Sequence, residues 1–340
     1  MIIRSKAPLR IGLAGGGTDV SPYSDIYGGA ILNATINMFA YASIIPRNDN
    51  KIIIYAADRK ERIEYVAEKN LPINGNLDLA KAIYNRIIQD FKLDKLSFEL
   101  VTFVDAPPGS GLGSSSTLVT AIIGAFVEWL NLPLGEYDIA NFAFLVERVD
   151  LNYAGGKQDQ YAATFGGFNF MEFYDHGKVI VNPLRIRNNI LNELANNLVL
   201  YFTGTSRLSS KIIEKQQNSI EKKKQPSIDA MHQTKEMAFL MKEAILKGNL
   251  DEIGPIMMQA WDYKKKMATG ISNKQLDIIY KSAINAGATG GKISGAGGGG
   301  FMFYYCPGNT RFNVIAELKK FGGVVQSFQF TKSGLNSWSI

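Results

Sequence analysis

The sequence predicts an α+β protein built from two domains. Its 340 residues are long for a single hydrophobic core. Short apolar segments typical of β-strands alternate with segments whose apolar residues recur three or four positions apart, as in an amphipathic helix. We expect an N-terminal domain over residues 1–175 and a C-terminal domain over residues 176–340.

The N-terminal half alternates between these two patterns. Strands are predicted near residues 10–16, 40–49, 51–57, 96–104, 165–174 and 178–186, and helices near 76–91, 115–130 and 136–151. The C-terminal half begins with a strand near 197–204, continues as helical sequence over about 209–286, and ends in a hairpin-like pair of strands at 299–306 and 323–330. The polar run QQNSIEKKKQPSID, residues 216–229, is predicted to be a mobile surface connection.

Composition and charge limit the kinds of function that the protein is expected to have. The net charge is +6 and the sequence pI is near 9.1, but the basic residues are scattered, and the densest run is EKKKQ at 221–225. This pattern argues against a nucleic-acid partner and suits an enzyme with anionic substrates. Cys306 is the single cysteine, no apolar run is long enough to span a bilayer, and the first residues lack the features of a signal peptide. We therefore expect a cytoplasmic protein with no membrane partner.

The segment PPGSGLGSSS, residues 107–116, directly precedes an apolar helical stretch. Its glycines allow close approach to the backbone, and successive N–H groups before a helix N-terminus form an anion-binding concavity. It lacks the spacing of the Walker A loop, and an ordinary glycine-rich turn with capping serines is the alternative. The phosphate-binding candidates are Pro108, Gly109, Ser110, Gly111, Leu112, Gly113, Ser114, Ser115 and Ser116.

Two further glycine-rich segments lie near the ends of the chain, KAPLRIGLAGGGTDV at 6–20 and GGKISGAGGGGFMF at 290–303. Together with residues 107–116 they resemble, in order and spacing, the three signature motifs of the GHMP kinases. The resemblance covers essentially the whole chain. It implies a two-domain GHMP-kinase fold with the active site in the cleft between the domains. It also implies that residues 107–116 wrap the triphosphate of ATP, that Mg²⁺ is required, and that the last segment packs against the nucleotide side.

Three other segments resemble the sugar 1-kinase branch of this family, which contains heptose 7-phosphate kinases and fucokinases. They are GGKQDQYAATFGG at 155–167, TGTSR at 203–207 and WDYKKKM at 261–267, and the opening motif is most similar to the heptose 7-phosphate kinases. The resemblance implies ATP-dependent phosphorylation of the anomeric hydroxyl of D-glycero-D-manno-heptose 7-phosphate, giving heptose 1,7-bisphosphate for nucleotide-activated heptose. Two alternatives are a fucokinase-like enzyme acting on an unphosphorylated sugar and a catalytically silent sugar or nucleotide sensor.

The same resemblance assigns catalytic and metal-binding roles. Asp159 matches the catalytic aspartate, and Arg10 matches an arginine near the reacting hydroxyl. Glu147 and Ser115 match the magnesium ligands, although either neighbouring serine could replace Ser115 because the serine run leaves the register ambiguous by one.

Sugar binding is assigned in the same way. Asp19 matches a sugar-binding aspartate, and together with Thr18 it could instead cap the next helix. A substrate phosphate requires cations, for which arginine is well suited. The candidates are Arg207, Lys211 and Lys157, with Lys264 and Lys265 as weaker ones. Oligomeric state is left open.

Overall fold

The fold, a computed structural model, consists of two β-sheets covered by helices, and the structure describes residues 1–205 and 210–340. The strands are β1 (Ile3–Ala14), β2 (Gly29–Pro46), β3 (Lys51–Ala56), β4 (Glu61–Val66), β5 (Phe98–Val104), β6 (Phe168–Phe173), β7 (Val179–Pro183), β8 (Leu198–Phe202), β9 (Gly290–Ile293), β10 (Phe301–Tyr305), β11 (Val324–Gln326) and β12 (Asn336–Ser339). The helices are α1 (Tyr23–Tyr27), α2 (Asp78–Asp90), α3 (Ser114–Leu130), α4 (Glu136–Leu145), α5 (Gln158–Phe165), α6 (Asn188–Asn197), α7 (Ser210–Glu221), α8 (Gln225–Lys247), α9 (Ile253–Met267), α10 (Lys274–Asn285) and α11 (Arg311–Lys319).

The first sheet has eight strands, and the long strand β2 organises it. Six strands follow the order β12-β1-β2-β5-β3-β4, while β6 pairs with β2 and β7 pairs with β6. The first part of β2 pairs with β6 and its last part with β5, so one strand joins two regions of the sheet. All neighbours are antiparallel except β3 and β5. The last strand, β12, returns to pair with β1, which brings the end of the chain back to the first sheet.

The second sheet is antiparallel, with the order β11-β8-β10-β9. Helix α9 packs on β9 and also on β1, and α8 packs on α9, β1 and β2. Elements from both halves of the chain therefore share one core. The boundary near residue 175 remains a prediction, and β7 and β12, which lie beyond it, belong to the first sheet.

Helix α3 illustrates how local sequence builds the site. Ten of its residues, from Ser116 to Phe126, are buried, and it packs against β1 and β2. It starts directly after Gly113, which has a left-handed backbone conformation, and ends before Asn131, which has the same conformation. The apolar body of α3 thus fixes its polar N-terminal serines at the end of the glycine-rich segment.

The α+β class and most elements predicted from the sequence are confirmed, with two clear exceptions. The prediction that the strands at 299–306 and 323–330 form a hairpin-like pair is wrong, because β8 lies between β10 and β11 in the second sheet. The prediction of a mobile connection over 216–229 is also wrong, because these residues form the end of α7 and the start of α8 around a short turn. Strands β4, β9 and β12 and helices α1, α5, α6 and α11 were not predicted. Within the two described ranges, no helix is long and apolar enough to cross a membrane.

Candidate active site

The three glycine-rich segments meet at a cleft of about 610 Å³, a volume typical of small-molecule sites. Its lining comes from both halves of the chain. The N-terminal half contributes Gly17, Asp19 and some residues of the segments 109–116 and 147–159. The C-terminal half contributes residues of α7, Lys264, Gly295 and Ala296. Segments that are remote in sequence therefore form one concave surface.

Backbone packs directly on backbone where the second and third glycine-rich segments touch. A Cβ atom on Gly111 would lie 2.3 Å from the carbonyl oxygen of Ser294, and a Cβ atom on Gly295 would lie 2.8 Å from Cα of Gly111. Gly111 also has a φ of +83°, which residues with a side chain rarely adopt. The contact agrees with the expectation that the last segment packs against residues 107–116, on the nucleotide side of the cleft.

Arg10 and Asp159 form the central ion pair of the cleft. Nε and a terminal nitrogen of Arg10 each lie 2.6 Å from Oδ1 of Asp159. The other terminal nitrogen donates to the carbonyl oxygen of Gly111 at 2.6 Å and to Oγ of Ser294 at 3.3 Å. The Arg10 side chain is 3% exposed and that of Asp159 is 23% exposed. Both contacts with Arg10 go to Oδ1, so Oδ2 is left to face the cleft.

The N-terminus of α3 is built to receive an anion. Gly113 precedes the helix, and no side chain in the described residues caps its first turn. The first N–H groups of a helix have no partner within the helix and carry partial positive charge. Ser114, Ser115 and Ser116 line the cleft, as do Gly109, Gly111 and Gly113, whereas Pro108, Ser110 and Leu112 are not among the lining residues. The serines therefore do not serve as caps, which was the alternative interpretation of this segment.

Glu147 lies at the same end of the cleft, in a π-helical turn (Val146–Asp150) that follows α4. Its side chain is 1% exposed, and Ser115 Oγ donates to its Oε1 at 3.1 Å. Gln160 Nε2 donates to Oε2 at 2.5 Å and to Ser116 Oγ at 3.2 Å, which fixes the carboxylate. Sequence reasoning did not identify Gln160, although it lies in the quoted GGKQDQ segment.

The donor set of Glu147 and Ser115 fits Mg²⁺, which prefers hard oxygen ligands and usually keeps several waters beside one or two protein groups and substrate phosphates. The described residues contain no cluster of three or more histidine, cysteine, aspartate or glutamate side chains that could hold a metal on their own. A magnesium ion here would therefore depend on phosphate oxygens for the rest of its coordination.

Asp19 lines the cleft and is 2% exposed. The backbone N–H of Gln158 donates to its Oδ2 at 3.0 Å, and a Cβ atom on Gly156 would lie 1.9 Å from that oxygen, so only glycine fits at 156. Burial, partly offset by this hydrogen bond, raises the pKa of Asp19. The hydroxyl of Thr18 is turned away from the cleft toward the backbone, since it donates to Gly15 O and accepts from the N–H of Ala30.

Two buried lysines from the C-terminal half add positive charge beside Arg10. Lys264 is 3% exposed, lines the cleft and donates to Gly16 O at 3.4 Å. Lys292 is also 3% exposed and donates to Gly12 O at 2.6 Å. Burial lowers the pKa of Lys264 to about 8, with a further contribution from the charge of Arg10, and lowers the pKa of Lys292 strongly. Sequence reasoning gave Lys264 little weight and missed Lys292.

Three of the other predicted substrate cations, Lys157, Lys211 and Lys265, are not among the described residues that line the cleft. Nζ of Lys157 lies 5.4 Å from the centre of the Phe144 ring, and Lys157 is not among the lining residues. Lys211 is exposed at the start of α7, and Lys265 pairs with Asp262 at 2.9 Å. Arg207 lies outside the described residues.

Comparison with known protein families gives matches over both halves of the chain. Residues 78–167 match the family described as GHMP kinases N terminal domain. Residues 241–324 match the family described as GHMP kinases C terminal. The first match contains the glycine loop, Glu147 and Asp159, and the second contains Lys264 and Lys292.

Individual relatives extend the similarity to the full chain. The chain is 50% identical to D-glycero-alpha-D-manno-heptose 7-phosphate kinase of Campylobacter jejuni over 99% of both proteins. A crystal structure described as a D-glycero-D-manno-heptose 1-phosphate kinase from Bacteroides thetaiotaomicron is 46% identical, with a TM-score of 0.84 over 99% of both chains. The bifunctional fucokinase/GDP-fucose pyrophosphorylase of Arabidopsis thaliana is 27% identical over 86% of this chain and 29% of its own length.

The depressed pKa of Lys264 predicts how stability changes with pH. The folded protein releases this proton near pH 8, whereas the unfolded chain keeps it up to about its ordinary value of 10.5. Between these values the unfolded state binds more protons, so this group makes the free energy of unfolding rise with pH, by at most about 1.4 kcal/mol per pH unit. Urea midpoints between pH 7.5 and 9.5 should rise less in Lys264→Met than in the unaltered protein.

Lys266→Met is the matched control, because Lys266 is exposed on the same helix. Lys292 contributes a trend of the same sign, and losing the Lys264 charge raises the pKa of Lys292, so any change in its contribution also makes the midpoints of Lys264→Met rise less. If the urea midpoints of Lys264→Met and of the unaltered protein change with pH in parallel, the lowered pKa of Lys264 is contradicted.

Proposed function

The chain belongs to the GHMP kinase family, and on that premise we propose that it transfers the γ-phosphoryl group of ATP to the anomeric hydroxyl of D-glycero-D-manno-heptose 7-phosphate. The products are ADP and heptose 1,7-bisphosphate. The 50% identity over 99% of a heptose 7-phosphate kinase supports the substrate, and the geometry of the cleft supports the reaction.

One observation carries the reaction type. The free carboxylate oxygen of Asp159 faces the loop that is suited to phosphate, since a Cβ atom on Gly113 would lie 3.4 Å from Oδ2. A proton acceptor and an anion-binding helix terminus thus share one cleft. Phosphoryl transfer requires this combination, because catalysis consists mainly of positioning and stabilising charge.

The roles of the residues follow from this arrangement. The N–H groups of the glycine loop and the start of α3 bind the phosphates of ATP. Asp159 Oδ2 accepts the proton of the sugar hydroxyl as its oxygen attacks the γ-phosphorus, and the bond from that phosphorus to the bridging oxygen of ADP breaks. Arg10 compensates the negative charge of Asp159 and holds its carboxylate in position, because both of its contacts with that group go to Oδ1.

Glu147 and Ser115 are the proposed magnesium ligands of the protein. Their oxygens lie 3.1 Å apart at the phosphate end of the cleft. The bound ion would neutralise charge on the transferred phosphoryl group. Gln160 orients Glu147 by donating to the oxygen that Ser115 does not contact.

Two candidate substrates, heptose 7-phosphate and an unphosphorylated sugar, differ in what supports them. The cations that hold a remote phosphate are proposed to be Arg207 and Lys211, because Lys211, although exposed and outside the lining, directly follows the lining residue Ser210, whereas Lys264 lies close to Asp159 and Asp19. A fucokinase-like activity on a plain sugar has the weaker support, because the fucokinase relative is distant. The presence of Asp159, Glu147 and Ser115 in one cleft argues against a silent sensor.

The substrate is tested by comparing D-glycero-D-manno-heptose, its 7-phosphate, its 1-phosphate and L-fucose with the purified enzyme, ATP and Mg²⁺. We expect kcat/KM for heptose 7-phosphate to exceed that for heptose by at least about tenfold, because charge-assisted bonds to a remote phosphate help to position the reacting hydroxyl. Phosphorus NMR of the product should show the new phosphate on the anomeric carbon. Equal values for heptose and its 7-phosphate, or a preference for the 1-phosphate, would refute the proposed substrate.

Asp159→Asn should reduce kcat by roughly 10²-fold or more, because asparagine can accept the hydrogen bonds of Arg10 but cannot accept a proton. The affinity for ATP, measured by calorimetry, should change little. Asp262→Asn, an exposed aspartate on α9, serves as the control and should retain full turnover. Near-normal turnover of Asp159→Asn would remove this residue from the proton transfer.

Glu147→Gln and Ser115→Ala should each raise the Mg²⁺ concentration for half-maximal activity, by about tenfold, since each loses a hard oxygen ligand or its charge. Glu128→Gln, on the exposed face of α3, should match the unaltered enzyme. If Ser114→Ala or Ser116→Ala shifts the magnesium requirement and Ser115→Ala does not, the proposed register is off by one residue.

A further inference from the structure

Gln216 is buried at the wall of the cleft without the partners that a buried amide needs. It lies on α7, is 2% exposed and lines the cleft. Its Nε2 atom has no hydrogen-bond partner in the described part of the chain. Buried amide donors are nearly always paired, and leaving one unpaired costs free energy. The position therefore requires an explanation outside the internal hydrogen bonding of the protein.

Two other buried polar atoms of the cleft lack a partner in the same way. Oε1 of Gln158 and Oδ1 of Asp19 have no hydrogen-bond partner among the described residues, and both side chains line the cleft. Asp19 uses its other oxygen for the backbone N–H of Gln158. The three side chains thus offer one donor and two acceptors that the protein itself leaves unused.

These atoms surround one short segment of the backbone. A Cβ atom on Gly12 would lie 3.7 Å from Oε1 of Gln158, one on Gly16 would lie 3.5 Å from Nζ of Lys264, and one on Gly17 would lie 3.9 Å from Nε2 of Gln216. Asp19 follows two residues later. The unpaired atoms therefore lie around the first glycine-rich segment, and Asp19 is close enough to Asp159 for the two carboxylates to interact.

A ligand with several hydroxyl groups can form hydrogen bonds with all three of these atoms. Each hydroxyl group can donate one hydrogen bond and accept others, so a mixture of unpaired donors and acceptors is matched by several neighbouring hydroxyls. The phosphates of ATP offer acceptors only and would leave the two acceptors unpaired. The donor of Gln216 and the acceptor of Gln158 are neutral, which suits hydroxyl groups better than a charged phosphate.

We propose that Gln216 and Gln158 determine the sugar specificity of this enzyme by hydrogen-bonding hydroxyl groups of the sugar ring or side chain, beside Asp19. The inference rests on the proposed function, because it identifies the groups that hold the sugar of the same reaction. A sugar that lacks the matching hydroxyl would leave a buried amide unpaired and is rejected for that reason. Helix α7 of the C-terminal half then contributes directly to substrate selection.

The test replaces Gln216 with leucine, which keeps the volume and removes the amide. We expect the KM for heptose 7-phosphate to rise roughly tenfold to a hundredfold, the range that corresponds to one unpaired buried polar group. The KM for ATP should stay within about twofold, and the melting temperature should not fall, because Nε2 of Gln216 makes no hydrogen bond to the described residues. Gln217→Leu is the matched control, since this neighbour bonds to Ser21 O outside the cleft lining and should leave both KM values unchanged.

Two results would overturn the inference. One is an unchanged sugar KM in Gln216→Leu, and the other is a joint rise of both KM values with a fall in melting temperature, which would indicate a structural role only. If Gln216→Leu does not fold, monodeoxy analogues of the sugar are compared on the unaltered enzyme and on Gln158→Leu. Equal kcat/KM for every analogue and the parent sugar would also refute it.

Failure of this inference can be distinguished from failure of the proposed function. If the unaltered enzyme does not phosphorylate heptose 7-phosphate but accepts another sugar of the panel, the proposed substrate is wrong. The comparison of Gln216→Leu with Gln217→Leu is then made on that sugar, and the same two results decide the role of Gln216.

Discussion

The arrangement of the cleft depends on the buried guanidinium of Arg10. Burying a charged group is costly unless it is paired and its hydrogen-bonding groups are satisfied. Arg10 meets this condition by contacting Asp159, the carbonyl oxygen of Gly111 and the hydroxyl of Ser294. These partners belong to α5, to the central glycine-rich loop and to the C-terminal half of the chain. The position of the proposed base, the shape of the phosphate loop and the contact between the two halves are therefore determined together by one side chain on β1.

The electrostatics of the cleft follow from the same burial. Arg10, Lys264 and Lys292 are each 3% exposed, and the pKa values of the two lysines are lowered by desolvation and by the neighbouring positive charges. Among the described residues, Arg10 alone of the three cations has a carboxylate within salt-bridge distance. An anionic ligand would supply the missing negative charge, and in a poorly hydrated site each such interaction is stronger than in water. This is consistent with a site that binds the phosphates of a nucleotide and a sugar hydroxyl that becomes negatively charged as it reacts.

The cleft also holds several polar groups that lack a partner, although buried polar groups are normally paired. The first turn of α3 lacks a side-chain cap, and single atoms of Asp19, Gln158 and Gln216 have no partner within the described residues. Such groups lower the stability of the free protein, and ligands that pair with them recover that free energy on binding. The unpaired amide and carboxylate groups lie around residues 12–19, and the N-terminus of α3 lies beside Glu147. The first set is suited to hydroxyl groups and the helix N-terminus to phosphates.

The sequence by itself determined the elements and the groups whose signals are local. The glycine-rich loop before an apolar helix predicted the N-terminus of α3, and the family resemblance pointed to Asp159 and Arg10, which the structure brings within 2.6 Å. The sequence could not determine that β8 separates β10 from β11, because strand order depends on pairings between distant segments. Nor could it determine which lysine of KKK faces the cleft, or that Gln216, in a run that looked like a mobile connection, is buried there. Helical periodicity shows which side of a helix is buried, whereas only packing against other segments decides what a buried polar side chain meets.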